Sequence, residues 1–480
     1  MPEIFINGRA IQAEKDQTVL EAALANGIFI PYFCWHPELS VAGNCRICMV
    51  EVEAKGGSWL DISCNMPVAE GMRVLTDSED VRAQRKAILQ FVTLNHPVDC
   101  GICDKAGECT LQDYHFEYNG SPSISRDPKV HATKYFDLSS RIVLDNERCI
   151  LCSRCVRFTR EISKSHALGI ENRADHSLVR PAEDKHFDDD PYSDNVIDIC
   201  PVGALLSKSF LYKARVWYLK PTPSVCPGCE RGCTVNIWHR RPEWRLNALD
   251  PKQNTEIARV TPLENPTVNG PWICNKGRDL AKIFERARAE QPMLKGKPVD
   301  LPAAIDAARR LIGDAKHAVA LVSSWGSNEE LVAFKQSLAG RFAASFVKRD
   351  RQPEPGERIE DDFLIKADKN PNTAGARALF DDAPAALPDS ADLVLVWGEG
   401  CDFGRLPRGA KIVFLGSYLA PENGHADVFL PVSIQTERRG TYTNFAGTVS
   451  AFEPCFAKKP SVADAESLFA ALAQLERATA

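Results

Sequence analysis

Fifteen of the seventeen cysteines in this 480-residue chain fall before residue 275, and only Cys401 and Cys455 follow. An odd total leaves no complete disulfide pairing. In a reducing compartment, crowded cysteines serve metals or redox groups. The N-terminal Met-Pro-Glu-Ile-Phe-Ile-Asn-Gly lacks the basic, apolar and small-residue order of a signal peptide. The expectation is therefore a cytoplasmic chain whose mature form starts at residue 1 or 2.

Charge and hydropathy narrow the function further. Lys plus Arg number 58 against 64 Asp plus Glu, a formal net charge of -6, too balanced for a nucleic-acid partner. No apolar run approaches the roughly 18 residues of a membrane span. The longest, at 318–322 and 393–397, suit buried strands. Membrane contact is expected only through partner subunits.

The pattern divides into five segments and an α+β multidomain architecture. Residues 1–78 read as a compact β-rich domain: strands 4–6 and 10–13 flank Asn7-Gly8, a hairpin signal. A helix follows, opened by the capping-box pair Thr18 and Glu21 and closed at Gly27. Strands are expected at 46–52 and 59–63, around Gly56-Gly57. Residues 79–118 open with a helix: Asp77, Glu79 and Asp80 suit its positive end, and Ala87, Ile88, Phe91 and Val92 repeat at helical spacing before His96-Pro97. A polar stretch near 119–137 leads to a third unit at 138–217, and a further cysteine group lies in 218–290. Residues 291–480 alternate helix (301–312, 328–338) with strand (318–322, 392–396, 411–415), an α/β unit with no obvious ligand set and an irregular middle at 350–390.

The cysteines form four groups. Group one is Cys34, Cys45, Cys48 and Cys64, spaced C-x10-C-x2-C-x15-C. Four thiolates suit an iron–sulfur cluster or tetrahedral zinc. Group two is His96, Cys100, Cys103 and Cys109. Three cysteines cannot complete a four-iron cube, so the imidazole of His96 supplies the fourth ligand. Being neutral, it raises the cluster's potential as in Rieske centres; Cys3His zinc is the rival. Group three is Cys149, Cys152 and Cys155 with Cys200 before Pro201. It follows the opening of the bacterial two-cluster ferredoxin run, but Thr159, Asp190, Ser193 and Val196 stand where a second cluster would need cysteines. One [4Fe-4S] cluster on a two-cluster scaffold is expected. Group four is Cys226, Cys229, Cys233 and Cys274, the last within Cys274-Asn275-Lys276-Gly277-Arg278. Fifteen cysteines and one histidine make sixteen ligands, enough for four clusters with no early cysteine left over.

Taken in order, these motifs resemble the G-type large iron–sulfur subunit of respiratory complex I, most specifically through about residue 285. The residues that carry it include 196–205, Val-Ile-Asp-Ile-Cys-Pro-Val-Gly-Ala-Leu, and 272–278, Trp-Ile-Cys-Asn-Lys-Gly-Arg. The resemblance implies a β-grasp-like ferredoxin domain with one [2Fe-2S] cluster on group one. It implies three [4Fe-4S] clusters: one on a helical His-Cys segment, one on a ferredoxin-like domain, and one on a segment like the N-terminal part of molybdopterin oxidoreductases. The tail resembles a truncated molybdopterin-oxidoreductase α/β domain, with Gly440-Thr441-Tyr442-Thr443-Asn444 like its G-T-F-x-N element, although residues 445–448 depart from the usual pattern. Only about 190 residues follow Glu290. No molybdopterin is expected, and Lys276 is read as a screen for cluster charge.

A cluster held entirely by protein ligands exchanges electrons but has no place to bind a substrate. No G-x-G-x-x-G follows a strand, and Gly398, Gly400 and Gly404 are read as a chance near-match. No catalytic residue and no NADH, flavin or quinone site is expected on this chain. The resemblance implies an FMN/NADH-binding flavoprotein partner, downstream iron–sulfur subunits, and a peripheral place on the cytoplasmic side of the inner membrane. The alternatives are an electron-transfer subunit of a soluble NAD-reducing hydrogenase or NAD-linked formate dehydrogenase, or a zinc-loaded assembly module. Cys401 and Cys455 have no reading beyond small buried hydrophobes.

Overall fold

The computed structural model describes residues 1–134, 136–182, 186–244 and 254–474. It divides into two compact units, Met1–Trp217 and Tyr218–Ala480. In the first, β1 (Glu3–Ile6) and β2 (Arg9–Gln12) pair antiparallel across Asn7 (φ 51°) and Gly8 (φ 80°), the positive-φ pair a tight hairpin requires. Helix α1 (Val19–Ala25) starts on the expected box: the Glu21 amide donates to Thr18 Oγ1 at 3.3 Å and the Thr18 amide to Glu21 Oε2 at 2.8 Å. With β3 (Met49–Ala54), β4 (Gly57–Ile62) and β5 (Arg73–Leu75) these strands form a sheet ordered β2-β1-β5-β3-β4. Its core holds Ile4, Ile6, Val19, Leu20, Val50 and Val52.

Two expectations needed correction here. The strand expected to begin at 46 begins at Met49, and residues 45–48 form a loop with Arg46 at φ 60°. Helix α2 (Glu79–Thr93), capped by Ser78, buries Val81, Arg85 and Leu89, whereas Ala87 is exposed and Phe91 is 77% exposed. The apolar repeat identified the helix but not its buried face. Arg85 takes a core position by lying over the Tyr118 ring and donating to the Met49 carbonyl at 3.0 Å.

Helix α3 (Thr110–Tyr114) follows. Then β6 (Phe136–Asp137), β7 (Ile142–Leu144), α4 (Arg154–Glu161), the hairpin β8 (Leu168–Glu171) and β9 (Leu178–Pro181), α5 (Asn195–Ile199) and β10 (Leu205–Ser207) complete the unit. The strands β10-β7-β6 form a small antiparallel sheet.

The second unit opens with an antiparallel sheet of β11 (Leu219–Val225), β12 (Thr234–Arg240) and β13 (Ile257–Pro262), then α6 (Asn275–Arg278) and α7 (Leu280–Phe284). The rest is an α/β domain. Its elements are β14 (Met293–Leu294), β15 (Lys297–Pro298), α8 (Leu301–Asp314), β16 (Ala318–Ser323), α9 (Asn328–Ser337), β17 (Ala344–Lys348), α10 (Thr373–Arg377), β18 (Asp381–Asp382), β19 (Leu393–Trp397), β20 (Lys411–Gly416), α11 (Pro421–His425), β21 (Val428–Pro431), β22 (Gly440–Thr443), β23 (Val449–Phe452) and α12 (Ala465–Ala473). Six strands run parallel in the order β18-β17-β16-β19-β20-β21, the doubly wound arrangement with its reversal between β16 and β19. Every residue of β16 and β19 is buried, as a sheet covered on both faces demands. Within 350–390 only α10 and β18 are regular.

The glycines after β19 have a physical reason. Gly398 (φ 89°) and Gly400 (φ 73°) lie so close to Asp350 that a Cβ would stand 1.9 Å from its Oδ2 and 2.2 Å from its carbonyl oxygen, respectively. Among the described residues, no helix is long and apolar enough to cross a membrane.

Candidate iron–sulfur centres

Group one gathers where the α1 exit loop, the loop before β3 and the turn after β4 meet. Cys34, Cys48 and Cys64 are buried and Cys45 is partly so. The Cys34 amide donates to Cys45 Sγ at 3.4 Å. The thiols of Cys45 and Cys64 hydrogen-bond to the sulfur of Cys34 and depress its pKa, and Cys64 does the same to Cys48. These thiol contacts link the four cysteines of three loops into one chain.

In group two, Cys103 and Cys109 are buried, and burial pushes their thiols up, Cys109 to about 11. Cys100 is exposed, and its carbonyl accepts from the Cys103 amide at 3.3 Å. Burial lowers His96 to about 4, so its imidazole is neutral at pH 7, the form that binds metal. Among the described residues its buried Nδ1 has no hydrogen-bond partner, an orphaned polar atom of the kind a metal ligand leaves behind. Besides burial, the charges of Asp99, Arg148, Lys129 and Lys134 act on His96.

Group three lines one small apolar cavity of about 20 Å³: Cys149, Cys152, Cys155 and Cys200 meet there with Leu144, Val202 and Leu205. Burial raises Cys149 to about 12 and Cys152 to about 11. The positions read as a lost second site are filled by ordinary packing. Thr159 Oγ1 donates to the Val156 carbonyl, Asp190 accepts from the hydroxyls of Ser163 and Ser165, and Val196 is fully buried.

Group four lies in the second unit. Cys226 and Cys233 bracket the β11–β12 connection, where the Cys226 amide donates to the Cys233 carbonyl at 2.7 Å, and Cys274 caps α6. The Gly228 amide donates to Cys226 Sγ at 3.4 Å. Burial raises all four thiols, Cys274 to about 11. Lys276 is half-exposed and pairs with Glu354 at 3.0 Å, so a carboxylate already compensates its charge.

These surroundings fit iron–sulfur clusters. A bare thiolate is costly in such burial, whereas a coordinated thiol is deprotonated outright. Backbone amides already aim at Cys45, Cys149 and Cys226. Among the described residues, no set of three or more His, Cys, Asp or Glu side chains is arranged to hold a single metal ion. Cys455 and Cys401 lie in apolar clusters, with burial raising both thiols, Cys455 to about 12.

Sequence reasoning missed the groups between the sites. Arg148 is 2% exposed and holds Asp99 (2.6 Å) and Asp145 (3.2 Å), while Lys134 joins Asp99 and Glu147. This ion network lies beside Cys100 and Cys149, one residue from each. Gly203, three residues past Cys200, abuts group two: a Cβ there would stand 2.2 Å from Cys103 Sγ. The C-P-V-G run hinted at a glycine requirement but not at its neighbour.

Comparison with known families tiles this same region. Residues 2–79 match the 2Fe-2S iron-sulfur cluster binding domain and residues 85–122 the NADH-ubiquinone oxidoreductase-G iron-sulfur binding region. Residues 139–206 match the ferredoxin-like domain of NADH-quinone oxidoreductase subunit 3, and residues 219–286 the molybdopterin oxidoreductase Fe4S4 domain. Fold, cysteine groups and these matches define a multidomain protein of mixed helix and sheet with [2Fe-2S]- and [4Fe-4S]-binding domains.

The relatives narrow the class. The NADH-quinone oxidoreductase G subunit of Rickettsia typhi is 36% identical over 63% of this chain and 42% of its own length. The mitochondrial NADH dehydrogenase [ubiquinone] iron-sulfur protein 1 of Solanum tuberosum is 37% identical over 61% and 38%. The 75 kDa subunit of Reclinomonas americana NADH-ubiquinone oxidoreductase is 32% identical over 83% and 56%. A solved NAD+-reducing [NiFe]-hydrogenase in the H2-reduced state aligns with 45% of this chain and 91% of its own, at 31% identity and a TM-score of 0.41. The chain is homologous to G-type large iron–sulfur subunits of complex I at 32–37% identity, and spans 38–56% of the length of these three curated relatives.

Proposed function

We propose that this chain is an electron-relay subunit of an NADH:quinone oxidoreductase. Its clusters take up and release single electrons, and the chain's residues set where and at what potential. The observation that carries the reading is the grouping of fifteen cysteines and His96 into four sets of four. With each set holding one cluster, no coordination position is left for a substrate.

In this reading one [2Fe-2S] cluster sits on Cys34, Cys45, Cys48 and Cys64. Three [4Fe-4S] clusters sit on His96 with Cys100, Cys103 and Cys109; on Cys149, Cys152, Cys155 and Cys200; and on Cys226, Cys229, Cys233 and Cys274. Electrons enter from an FMN/NADH-binding partner, pass through the sites of groups one to three, and leave to a further iron–sulfur subunit nearer the membrane. Group four is a side branch. The subunit is peripheral, on the cytoplasmic side of the inner membrane. The α/β domain that begins at residue 291 packs against neighbours and serves no molybdopterin. The complex I reading is preferred over a hydrogenase subunit because relatives named for that complex align over as much as 83% of the chain.

The test is a pair of substitutions in the assembled complex. Cys152→Ala abolishes NADH:quinone turnover, whereas Cys229→Ala spares it while lowering the subunit's stability. Turnover that survives Cys152→Ala contradicts the relay. Turnover lost in a folded, assembled Cys229→Ala complex contradicts the side branch.

A further inference from the structure

Two arginines on one helix join the loops of groups one and three. Arg154 and Arg157 stand three apart on α4, on the same face, and are 8% and 4% exposed. Arg154 donates to the carbonyl of Trp35 at 2.6 Å and to that of Ile199 at 2.9 Å. These residues adjoin Cys34 and Cys200. One terminal nitrogen of Arg157 donates to the carbonyl of Cys34 and, at 3.3 Å, to that of Cys152; the other donates to Ser40. A single guanidinium thus touches ligand residues of both groups.

The surrounding contacts run the same way. Glu161, at the end of α4, accepts from the Ser40 amide at 2.8 Å and its hydroxyl at 2.6 Å, and Asn44 donates to the Leu151 carbonyl at 3.1 Å. The two ligand loops are held together by side chains more than 100 residues apart in sequence.

A buried guanidinium is costly, and carbonyl partners alone do not neutralise it. Glu161 acts against that cost, and so would the sulfurs of Cys34 and Cys152 once they ligate clusters and carry negative charge. An added electron increases that negative charge, and in a low-dielectric setting a fixed cation nearby favours it. Arginine suits the task because its planar fork stays charged and holds several carbonyls in fixed geometry.

We propose that Arg154 and Arg157 form a charged bridge between the group-one and group-three sites, positioning residues that fix their separation and raise the electron affinity of both. The bridge rests on the relay reading above, since it presumes clusters at both sites.

The experiment is EPR-monitored reductive titration of the full-length protein in its complex, prepared anaerobically. Arg157→Gln lowers the midpoint potentials of the group-one and group-three signals together, each by about tenfold in the one-electron equilibrium, or about 59 mV. It leaves groups two and four unmoved. Arg160→Gln, an exposed arginine of the same helix, shifts neither signal. Arg157→Lys keeps the charge and loses the fork. Its potentials stay within about threefold of the parent, while the spin–spin broadening between the two signals changes as their separation relaxes.

A shift confined to group three, no shift at all, or an equal shift from Arg160→Gln overturns the bridge. If Arg157→Gln does not fold, Arg154→Gln and Arg157→Lys carry the same comparison. A parent protein without cluster signals defeats the relay reading. Parent signals with unshifted variants defeat the bridge alone.

Discussion

Replacing Gly203 with alanine is expected to empty one of the four proposed sites. The new Cβ would stand 2.2 Å from Cys103 Sγ, 3.2 Å from Lys105 Cβ and 3.6 Å from Arg148 Cδ. Ordinary van der Waals contact begins at 3.4 Å, so sulfur and carbon must separate by 1.2 Å. Neither side yields easily. The Cys103 carbonyl accepts from the Ala106 amide and from Arg215 at 2.5 Å, and the Pro201 carbonyl accepts from the Thr110 amide at 3.0 Å. Overpacking of this kind costs about 1–3 kcal/mol, which a domain of this size survives. Metal–ligand distances tolerate only about 0.2 Å, so a sulfur displaced several times that far cannot complete its site. Gly203→Ala is therefore expected to fold, to keep the signals of groups one, three and four, and to lose that of group two. Iron should fall by about four atoms from the roughly fourteen that one [2Fe-2S] and three [4Fe-4S] clusters require. Iron and acid-labile sulfide analysis with low-temperature EPR reads this directly. A variant with full iron and an unchanged group-two signal would refute the packing argument.

Two further outcomes follow from other contacts. His96→Cys exchanges a neutral ligand for an anionic one, so the group-two signal persists and its midpoint potential falls by about 59 mV or more; an unmoved potential in an EPR titration counts against His96 as a ligand. Gly398→Ala places a Cβ 1.9 Å from Asp350 Oδ2 and 2.7 Å from Ser323 Oγ at φ 89°. It lowers the stability of the second unit by about 3 kcal/mol. Its denaturant midpoint, followed by the fluorescence of Trp325 and Trp397, falls while the signals of groups one to three remain; an unshifted midpoint contradicts the close approach.

What the sequence made legible was local. The Asn7-Gly8 turn and the Thr18–Glu21 box each depend on neighbours within a few residues, and both stand where patterning put them. Alternating helices and strands marked the α/β tail, but periodicity cannot order strands. The reversal between β16 and β19 appears only when residues 318 and 393 pair. At 46–48 the strand expected from residue propensity gives way to a loop with Arg46 at φ 60°. On α2 the apolar stripe did not mark the buried side, because Arg85 packs inward on Tyr118 while Phe91 stays exposed. Gly398 and Gly400, read as a chance echo of a nucleotide-binding loop, are needed for Asp350, some fifty residues away. The cysteine spacing marked the candidate ligands, but Arg148, Arg154, Arg157 and Gly203 acquire meaning only through partners distant in the chain.

On the proposed function, sixteen side chains close four iron–sulfur sites to everything but electrons. The most direct test is a stepwise reduction of anaerobically isolated protein, followed by low-temperature EPR with parallel iron, sulfide and zinc analysis. A brown protein is expected, with about fourteen irons per chain and one [2Fe-2S] signal beside [4Fe-4S] signals. A colourless protein that carries zinc, or one whose spectrum no reductant alters, would contradict that function.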